Sequence, residues 1–236
     1  MRLVILTTET LHHCHFVREV TASNPVDLVV LERDRAVAPF DTHHAFENQR
    51  DAHERATWFG GGRASIAEFA ETLEVESAND PDAIDRLRRV QPEVIIVFGT
   101  SKLSRAVIET CSNGIVNLHG GDPEHYRGLD SRLWAIYHGE YEQLMVTLHR
   151  LNDRLDDGEI VVQRPLPLRR GMEIHELRRV SAEVCVDVVR TALGQWVGDG
   201  GFASRPQRRP GRYYSFMPAV LKELCRSKFE AYTREL

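Results

Sequence analysis

Cysteine is scarce in this sequence, and the four cysteines stand far apart from one another. They form no C-x-x-C pair and no spacing typical of metal ligands, which argues against a zinc site and against a disulfide-stapled secreted domain. We therefore expect a protein of a reducing cytoplasm, without a metal. The four positions are Cys14, Cys111, Cys185 and Cys225.

Long apolar runs are also missing. No stretch approaches the ~20 apolar residues that a membrane-spanning helix needs, and the opening run at 3–6 is too short for the apolar region of a signal peptide. A net charge of −5, from 30 basic and 35 acidic residues, offers no broad positive face for nucleic acid. We expect neither a membrane nor a nucleic acid as partner. One late basic cluster is either a solvated loop or a small phosphate-binding patch: Arg205, Arg208, Arg209 and Arg212.

The first half of the chain alternates apolar runs with amphipathic stretches. Of the 236 residues, 42% are apolar, which is enough for one large α/β domain. This alternation is typical of a doubly wound, mostly parallel sheet, which binds ligands beyond the carboxyl ends of its strands. The polar segment 32–60 is expected to be an inserted loop with some helix, either a lid or a recognition loop. The patterns predict strands at 3–6, 26–31, 94–98 and 114–118, and helices at 11–21, 64–73, 81–90 and 103–111.

The second half of the chain has a different order of predicted strands and helices. Two neighbouring strand-like runs, 145–151 and 160–166, follow a short helix at 131–138 and predict a hairpin-like pair. A long amphipathic helix at 173–197 and a last helix at 218–233 are joined by a link rich in Gly, Pro and Arg. We expect a main domain over residues 1–200, followed by a linker and helix over residues 201–236.

One strand end carries candidate chemistry. Alternate residues of a strand point to the same side, so Asn117 and His119 project together while Leu118 faces the core. The acid-rich loop 152–159 can bring an Asp to them. An Asn amide can donate to a developing oxyanion, a His can exchange a proton, and an Asp can orient that His. On spacing alone, the alternative is a hydrogen-bonded turn without catalytic function.

Three ordered motifs add a family resemblance. Asn-Leu-His-Gly at 117–120, His-Tyr-Arg-Gly at 125–128 and Trp-Ala-Ile-Tyr-His-Gly-Glu at 134–140 resemble the core of the folate-dependent formyltransferases. Val-Thr at 146–147 and Leu-Asp-Asp-Gly-Glu-Ile at 155–160 follow in the family's order. The family includes glycinamide ribonucleotide, methionyl-tRNA and sugar N-formyltransferases. The resemblance is tight from about residue 93 to 166, and it implies a Rossmann-like fold with a short C-terminal helical extension.

The resemblance also implies roles for individual residues. Asn117 would polarise the formyl carbonyl, and His119 would stabilise the tetrahedral intermediate and help to move protons. Asp156 would orient His119 and relay the amine proton, with Asp153 and Asp157 as lesser candidates. The formyl donor would be 10-formyltetrahydrofolate, with Gly99 allowing the backbone to approach the pterin ring, unless that segment is a plain strand-to-helix turn. The implied co-substrate contacts are Phe98, Gly99, Thr100, Leu103, Asp153 and Leu155.

Two loops depart from the family pattern. The segment 120–125 reads Gly-Gly-Asp-Pro-Glu-His where many members carry Ser-Leu-Leu-Pro, and the first loop, 7–13, lacks a Gly-rich turn. These departures affect the expected acceptor contacts rather than the transfer chemistry. The histidines near Cys14 point in different directions along a helix, so we expect no metal there. We expect acceptor contacts from Thr8, His13, Tyr126 and Arg127, although the last two also suit a bracing role.

The acceptor predicted here is the primary amine of a small molecule, most simply a nucleotide-linked amino sugar. The segment 211–218 offers Arg and aromatic side chains that could hold a pyrophosphate and a base, or could pack the last helix. Glycinamide ribonucleotide or another amine is an alternative acceptor. A formyltetrahydrofolate hydrolase and a silent folate-binding protein are rivals from other classes. The last helix and the aromatic segment could also form a homodimer contact.

Overall fold

A seven-stranded sheet forms the centre of the molecule. The computed structural model describes residues 1–34 and 36–236. The strand order is β3-β2-β1-β4-β5-β7-β8; the first five strands are parallel, and β7 and β8 run antiparallel to their neighbours. The predicted doubly wound, mostly parallel sheet is therefore confirmed. The strands are β1 (Leu3–Thr7), β2 (Leu28–Glu32), β3 (Thr72–Val75), β4 (Val94–Phe98), β5 (Ile115–His119), β6 (Tyr126–Gly128), β7 (Met145–Arg150), β8 (Ile160–Pro165) and β9 (Arg212–Tyr214).

Helices cover both faces of this sheet. The larger core lies between the sheet and α1, α6 and α7, whereas the smaller core lies under α3 and α4 on the opposite face. Strands β1, β2 and β4 are buried on both faces, which explains their nearly continuous aliphatic sequences. The helices are α1 (Leu11–Thr21), α2 (Ala45–Phe59), α3 (Pro81–Val90), α4 (Arg105–Ile108), α5 (Ser131–His138), α6 (Leu177–Asp199) and α7 (Ala219–Glu235). Short 3-10 turns occupy Ile66–Glu68, Glu109–Cys111, Tyr141–Gln143 and Ile174–Glu176.

Local sequence explains where several helices begin and end. Helix α3 starts with Pro81 at its first position and ends at Gln91, which has a left-handed φ of 51°. Helix α2 starts with a capping box, in which the His44 ring accepts the Phe46 N–H and Glu47 accepts the His44 N–H. Gly60, with φ +55°, ends that helix. The segment 32–60 thus contains a capped helix of 15 residues, in agreement with an inserted loop that has some helix.

The helix predicted at 64–73 is wrong. That segment forms the 3-10 turn Ile66–Glu68 and then strand β3, which pairs in parallel with β2 at the edge of the sheet. The sequence Thr-Leu-Glu-Val of β3 alternates in the manner of a strand, and β2 satisfies its backbone hydrogen bonds. The pairing of β3 with β2 thus determines the structure of this segment, although the apolar residues before β3 have a helical spacing.

The chain after residue 200 packs against β6, β8 and helix α5. Strand β9 pairs in parallel with β6, a two-stranded ribbon that the sequence did not predict. Tyr214 stacks on Trp134 with ring centroids 5.0 Å apart, and Arg205 exchanges backbone hydrogen bonds with Ile160. Helix α7 lies against α5. The division into residues 1–200 and 201–236 stays a prediction, and the two parts share extensive contacts.

No helix among residues 1–34 and 36–236 combines the length and apolar character that crossing a bilayer requires.

We expect acid to destabilise the fold through buried histidines, and His15 gives the clearest test. Its ring stacks on Trp58 at 4.1 Å, and burial, with help from Arg18, lowers the pKa of His15 to about 4. Since the unfolded chain binds a proton near pH 6.5, stability is full above that pH and falls as the pH drops toward 4, by up to ~3 kcal/mol. His15→Phe should reduce the loss of unfolding free energy between pH 7 and pH 5. Urea titrations at both pH values measure it, with exposed His43→Gln as control; an unchanged difference in His15→Phe contradicts the prediction.

Candidate active site

The polar site lies where β5, β7 and the loop after β7 meet. Strand β5 presents Asn117 and His119 on one side, as their spacing predicts. The antiparallel register places His149 of β7 directly opposite Asn117 and Thr147 opposite His119. The loop that follows β7 then returns Asp156 to the same point, so strand pairing alone gathers most of the site.

Asp156 is the centre of this group. One of its carboxylate oxygens accepts the backbone N–H of Gly128 at 2.7 Å and lies 3.5 Å from Nδ1 of His119. The other lies 3.4 Å from Nε2 of His149. Asp156 is buried and has a left-handed φ of 49°, a conformation that Asp tolerates better than most residues. The carboxylate is therefore held by its own loop and faces both imidazoles.

The position of the proton on His119 follows from its partners. Nε2 of His119 lies 2.8 Å from the carbonyl oxygen of Tyr126, which can only accept, so Nε2 carries a hydrogen and donates it. Nδ1 is then the nitrogen that faces Asp156 and can gain or lose a proton. The Tyr126 carbonyl thus fixes both the orientation and the tautomer of the ring.

Charge at the site is divided between a carboxylate and a neutral imidazole. Burial opposes ionisation of Asp156, but His119, His149 and the Gly128 N–H outweigh it and hold the pKa of Asp156 well below its usual range. Burial lowers the pKa of His119 below its ordinary value, and the nearby His149 adds to this effect while Asp156 opposes it. At neutral pH the site accordingly offers an anionic Asp156 and a neutral His119.

His149 is a member of the site that sequence reasoning missed. Its Nδ1 donates to the carbonyl of Arg150 at 2.8 Å, and its Nε2 lies 3.2 Å from the Asn117 amide nitrogen and 3.4 Å from the Asp156 carboxylate. The contact with Asn117 orients the amide group of that residue. The signal was present in the sequence, because Thr147 and His149 alternate with buried Val146 and Leu148 along a predicted strand.

A cavity of about 410 Å³ opens beside these residues. One half is bounded by the end of β4, the loop after it and the loop after β7. The wall there is mainly apolar and backbone, a surface that suits a flat heteroaromatic ring. Five of the six predicted co-substrate residues, Phe98, Gly99, Thr100, Leu103 and Leu155, line this half, together with Val97, Leu118 and Leu151.

Gly99 shows that the wall requires a glycine. It has a φ of +82°, and a Cβ added there would lie 2.6 Å from Nε2 of His13. Any side chain at this position would displace His13, whose ring packs edge-on against Phe98 at 4.5 Å. The ring of His13 therefore lies directly against the backbone of Gly99, and together with Phe98 it forms this part of the wall.

The other half of the cavity is more polar. Helix α2 contributes Phe46, Glu47 and Arg50, so the inserted segment 32–60 forms part of the wall. Arg132 of α5 and Arg178 of α6 line the same half, as do His12 and His13. None of the three arginines was predicted from the sequence, since only the packing of α2, α5 and α6 brings them together.

Four predicted contacts lie outside the cavity wall: Thr8, Tyr126, Arg127 and Asp153. Thr8 hydrogen bonds Nδ1 of the cavity-lining His13 at 3.0 Å. The Tyr126 hydroxyl donates to Glu140 at 2.7 Å, away from the site, and Arg127 pairs with Asp157 at 2.7 Å. The last two side chains thus brace loops of the site, while their roles toward substrate stay predictions.

Two sequence features can be placed as well. Arg205 of the basic cluster pairs with Glu124 at 2.8 Å, whereas Arg209 and Arg212 border a second, polar cavity of about 400 Å³ with Tyr214. Among the residues that the structure describes, no three His, Cys, Asp or Glu side chains are grouped so as to hold a metal ion.

Comparison with known families gives this geometry a context. The family model described as formyl transferase matches residues 6–190, which contain the whole polar site. The chain belongs to this formyl transferase family. Formyltetrahydrofolate is the co-substrate of the family. A methionyl-tRNA formyltransferase from Porphyromonas gingivalis is 30% identical over 166 residues, covering 70% of this chain and 51% of that protein. The chain thus spans about half the length of that curated relative.

Solved structures share the fold at lower identity. A sugar N-formyltransferase from Shewanella sp. FDAARGOS_354 superposes with a TM-score of 0.62 at 14% identity, over 91% of this chain and 77% of that one. HypX from Aquifex aeolicus, in complex with tetrahydrofolic acid, superposes with a TM-score of 0.58 at 18% identity, over 94% of this chain and 31% of that one. At these identities the likeness establishes the fold, and the substrate has to be argued from the site.

Proposed function

We propose that this formyltransferase transfers the formyl group of 10-formyltetrahydrofolate to the primary amine of a nucleotide-linked amino sugar. The observation that carries the transfer chemistry is the joint position of Asn117, His119 and Asp156 at one end of the cavity, within the region that matches the family. A sugar N-formyltransferase is among the solved structures of this fold, which makes an amino sugar the first acceptor class to test.

Each of the three residues has a role that suits its surroundings. The Asn117 amide nitrogen lies 3.2 Å from Nε2 of His149, and this contact orients the amide so that an N–H can stabilise negative charge on the formyl oxygen. His119 is neutral and uncharged at Nδ1, so it can take up a proton during attack. Asp156 is anionic, so it can orient His119 and draw the proton from the attacking amine.

The bonds balance without a covalent enzyme intermediate. The folate co-substrate supplies the formyl carbon, to which the neutral amine adds. A C–N bond to the acceptor forms, the C–N bond to the folate nitrogen breaks, and the proton lost by the amine passes through His119 and Asp156 to that nitrogen. Residues of the β4 and β7 loops, Gly99 and Leu155 among them, would hold the pterin.

The nucleotide part of the acceptor would need a site outside the small cavity. Arg209, Arg212 and Tyr214 border the second cavity and offer guanidinium and aromatic groups. Glycinamide ribonucleotide or another amine is the alternative acceptor. The cytoplasmic location, the homodimer and the separate C-terminal segment stay predictions.

An acceptor screen tests the proposed function. We expect purified protein with 10-formyltetrahydrofolate to release tetrahydrofolate when a nucleotide-linked amino sugar is added, and the product to gain the mass of one formyl group. Glycinamide ribonucleotide and simple amino acids complete the panel, and the same sugars with a hydroxyl in place of the amine are the control. Release of formate without an amine would favour a hydrolase, and bound folate without turnover on any amine would argue for a binding protein.

A further inference from the structure

We propose that Arg132, in the polar half of the cavity, binds an oxyanion carried by the acceptor, so that the acceptor is an amine that also bears a carboxylate or phosphate close to the reacting nitrogen. This inference rests on the proposed transfer function and narrows its substrate class. The basis is a cation in the cavity wall, Arg132, that lies beside an ionic network which is already neutral without it.

The network is built from α2, α6 and α7. Arg178 holds buried Glu54 with two parallel hydrogen bonds of 2.7 and 2.6 Å and also reaches Asp51 at 2.6 Å. Arg50 shares Asp51 at 2.9 Å and contacts Glu47 at 3.2 Å, and Lys222 pairs with that same Glu47 at 3.2 Å. These three cations and three carboxylates neutralise one another.

Arg132 is a further cation of the cavity wall, and no carboxylate of this network pairs with it. Its one described hydrogen bond goes to the neutral hydroxyl of Ser181, and no described carboxylate lies within ion-pair distance of its guanidinium. Asp130 acts on it only at longer range and accepts the Met217 N–H at 2.8 Å. Burial lowers the pKa of Arg132, and the charges of Arg178 and Arg50 add to this effect. An anion in the cavity would relieve that repulsion and use donors that now have no protein acceptor.

The place of Arg132 ties the anion to the chemistry. A Cβ built on Gly120 would lie 2.9 Å from Nη1 of Arg132, so the guanidinium lies against the residue that follows His119. Helix α5 thereby sets the cation next to the catalytic strand end. Positive charge is concentrated in this part of the cavity, because Arg178, Arg132 and Arg50 all act on His12 in the same wall. A planar guanidinium suits bidentate binding of either carboxylate or phosphate.

Direct anion binding gives the first test and requires no turnover. Inorganic phosphate and acetate, titrated at constant ionic strength, should raise the Tm of the wild type and of Arg190→Gln, which removes a charge from the outer side of α6. Arg132→Gln should lose this response. Arg132→Lys, which keeps the charge but lacks the planar fork, should retain part of it and serves if the Gln variant does not fold. A larger response to phosphate than to acetate assigns the anion as phosphate, and the reverse assigns it as carboxylate.

Matched acceptors give the second test. Amino acids are compared with their amides, and amino sugar phosphates with the free amino sugars. For the favoured class, we expect the wild type to have a KM for the charged acceptor that is about 10- to 100-fold lower than its KM for the uncharged one. In Arg132→Gln this difference in KM should disappear, while the Kd for tetrahydrofolate stays unchanged. Equal responses of wild type and Arg132→Gln to both anions would overturn the proposal. A wild type that formylates no amine refutes the proposed function instead, and the anion titration still decides the role of Arg132.

Discussion

Asp156→Asn should lower kcat by about 10³-fold, because the carboxylate that we propose to orient His119 and to accept the amine proton is lost. Asn is the appropriate replacement, since it tolerates the left-handed φ of 49° at this position and can still accept the Gly128 N–H. Binding of tetrahydrofolate and the Tm should change little. Steady-state tetrahydrofolate release and a folate titration measure the two effects separately.

The other two residues of the site should behave in the same direction. Asn117→Ala removes the proposed amide donor to the formyl oxygen, for which we expect a loss of about 10²- to 10³-fold in kcat. His119→Ala removes the imidazole whose Nδ1 faces Asp156, and should cost as much or more. Arg164→Gln, an exposed change on β8 outside the site, is the control. Near-normal turnover in all three site variants would refute the assignment of this site.

Gly158→Ala should destabilise the protein by about 3 kcal/mol or more, through a clash between the loop after β7 and the backbone of β7 itself. A Cβ at this position would lie 1.6 Å from the carbonyl oxygen of Arg150 and 2.6 Å from its carbon. The backbones of the loop and of β7 would have to separate, which would also move Asp156. For a chain of this size the Tm should drop by roughly 6–12 °C, and turnover should fall with it.

Gly194→Ala is the matched control for this substitution. Gly194 lies in α6, and an added Cβ meets no atom within 4 Å there. Because Ala favours helix more than Gly does, this variant should be unchanged or slightly more stable. Thermal unfolding of both variants, with turnover measured on the same preparations, separates the clash from the general effect of a methyl group. A Tm of Gly158→Ala equal to that of the wild type would contradict the close approach.

Sequence patterns predicted most of the fold because the sheet is built from uniform aliphatic runs. The strands β1, β2, β4, β5, β7 and β8 and the long helices α1 and α6 were all expected close to their observed positions. The edge strand β3 was mistaken for a helix, since an alternation over only four residues, of which Val75 is the buried one, is too short to stand out from the preceding segment. The β6–β9 pair was missed because its two partners are more than 80 residues apart.

The site could be predicted only in part, for a related reason. Asn117, His119 and Asp156 stand within short motifs; the first two share one side of β5, and the loop after the antiparallel strand β7 returns Asp156 to them. His149 required the register between β5 and β7, which fixes which polar residue faces Asn117. Arg132 and Arg178 required the packing of whole helices against the sheet, and no local pattern of residues encodes it.

The C-terminal segment supports both Asp156 and His119. Gln207 donates to the carbonyls of Asp156 and Gly158 at 2.8 and 2.9 Å, and so ties down the carboxylate loop. Strand β9 pairs along β6, whose Tyr126 carbonyl holds the imidazole of His119. A fragment cut at residue 190, where the family match ends, would keep every reactive group and lose the supports of two of them. In chimeras with other formyltransferases, all residues up to 214 should therefore come from one parent. A crossover at residue 190, where sequence similarity ends, would separate the active site from the segment that supports it.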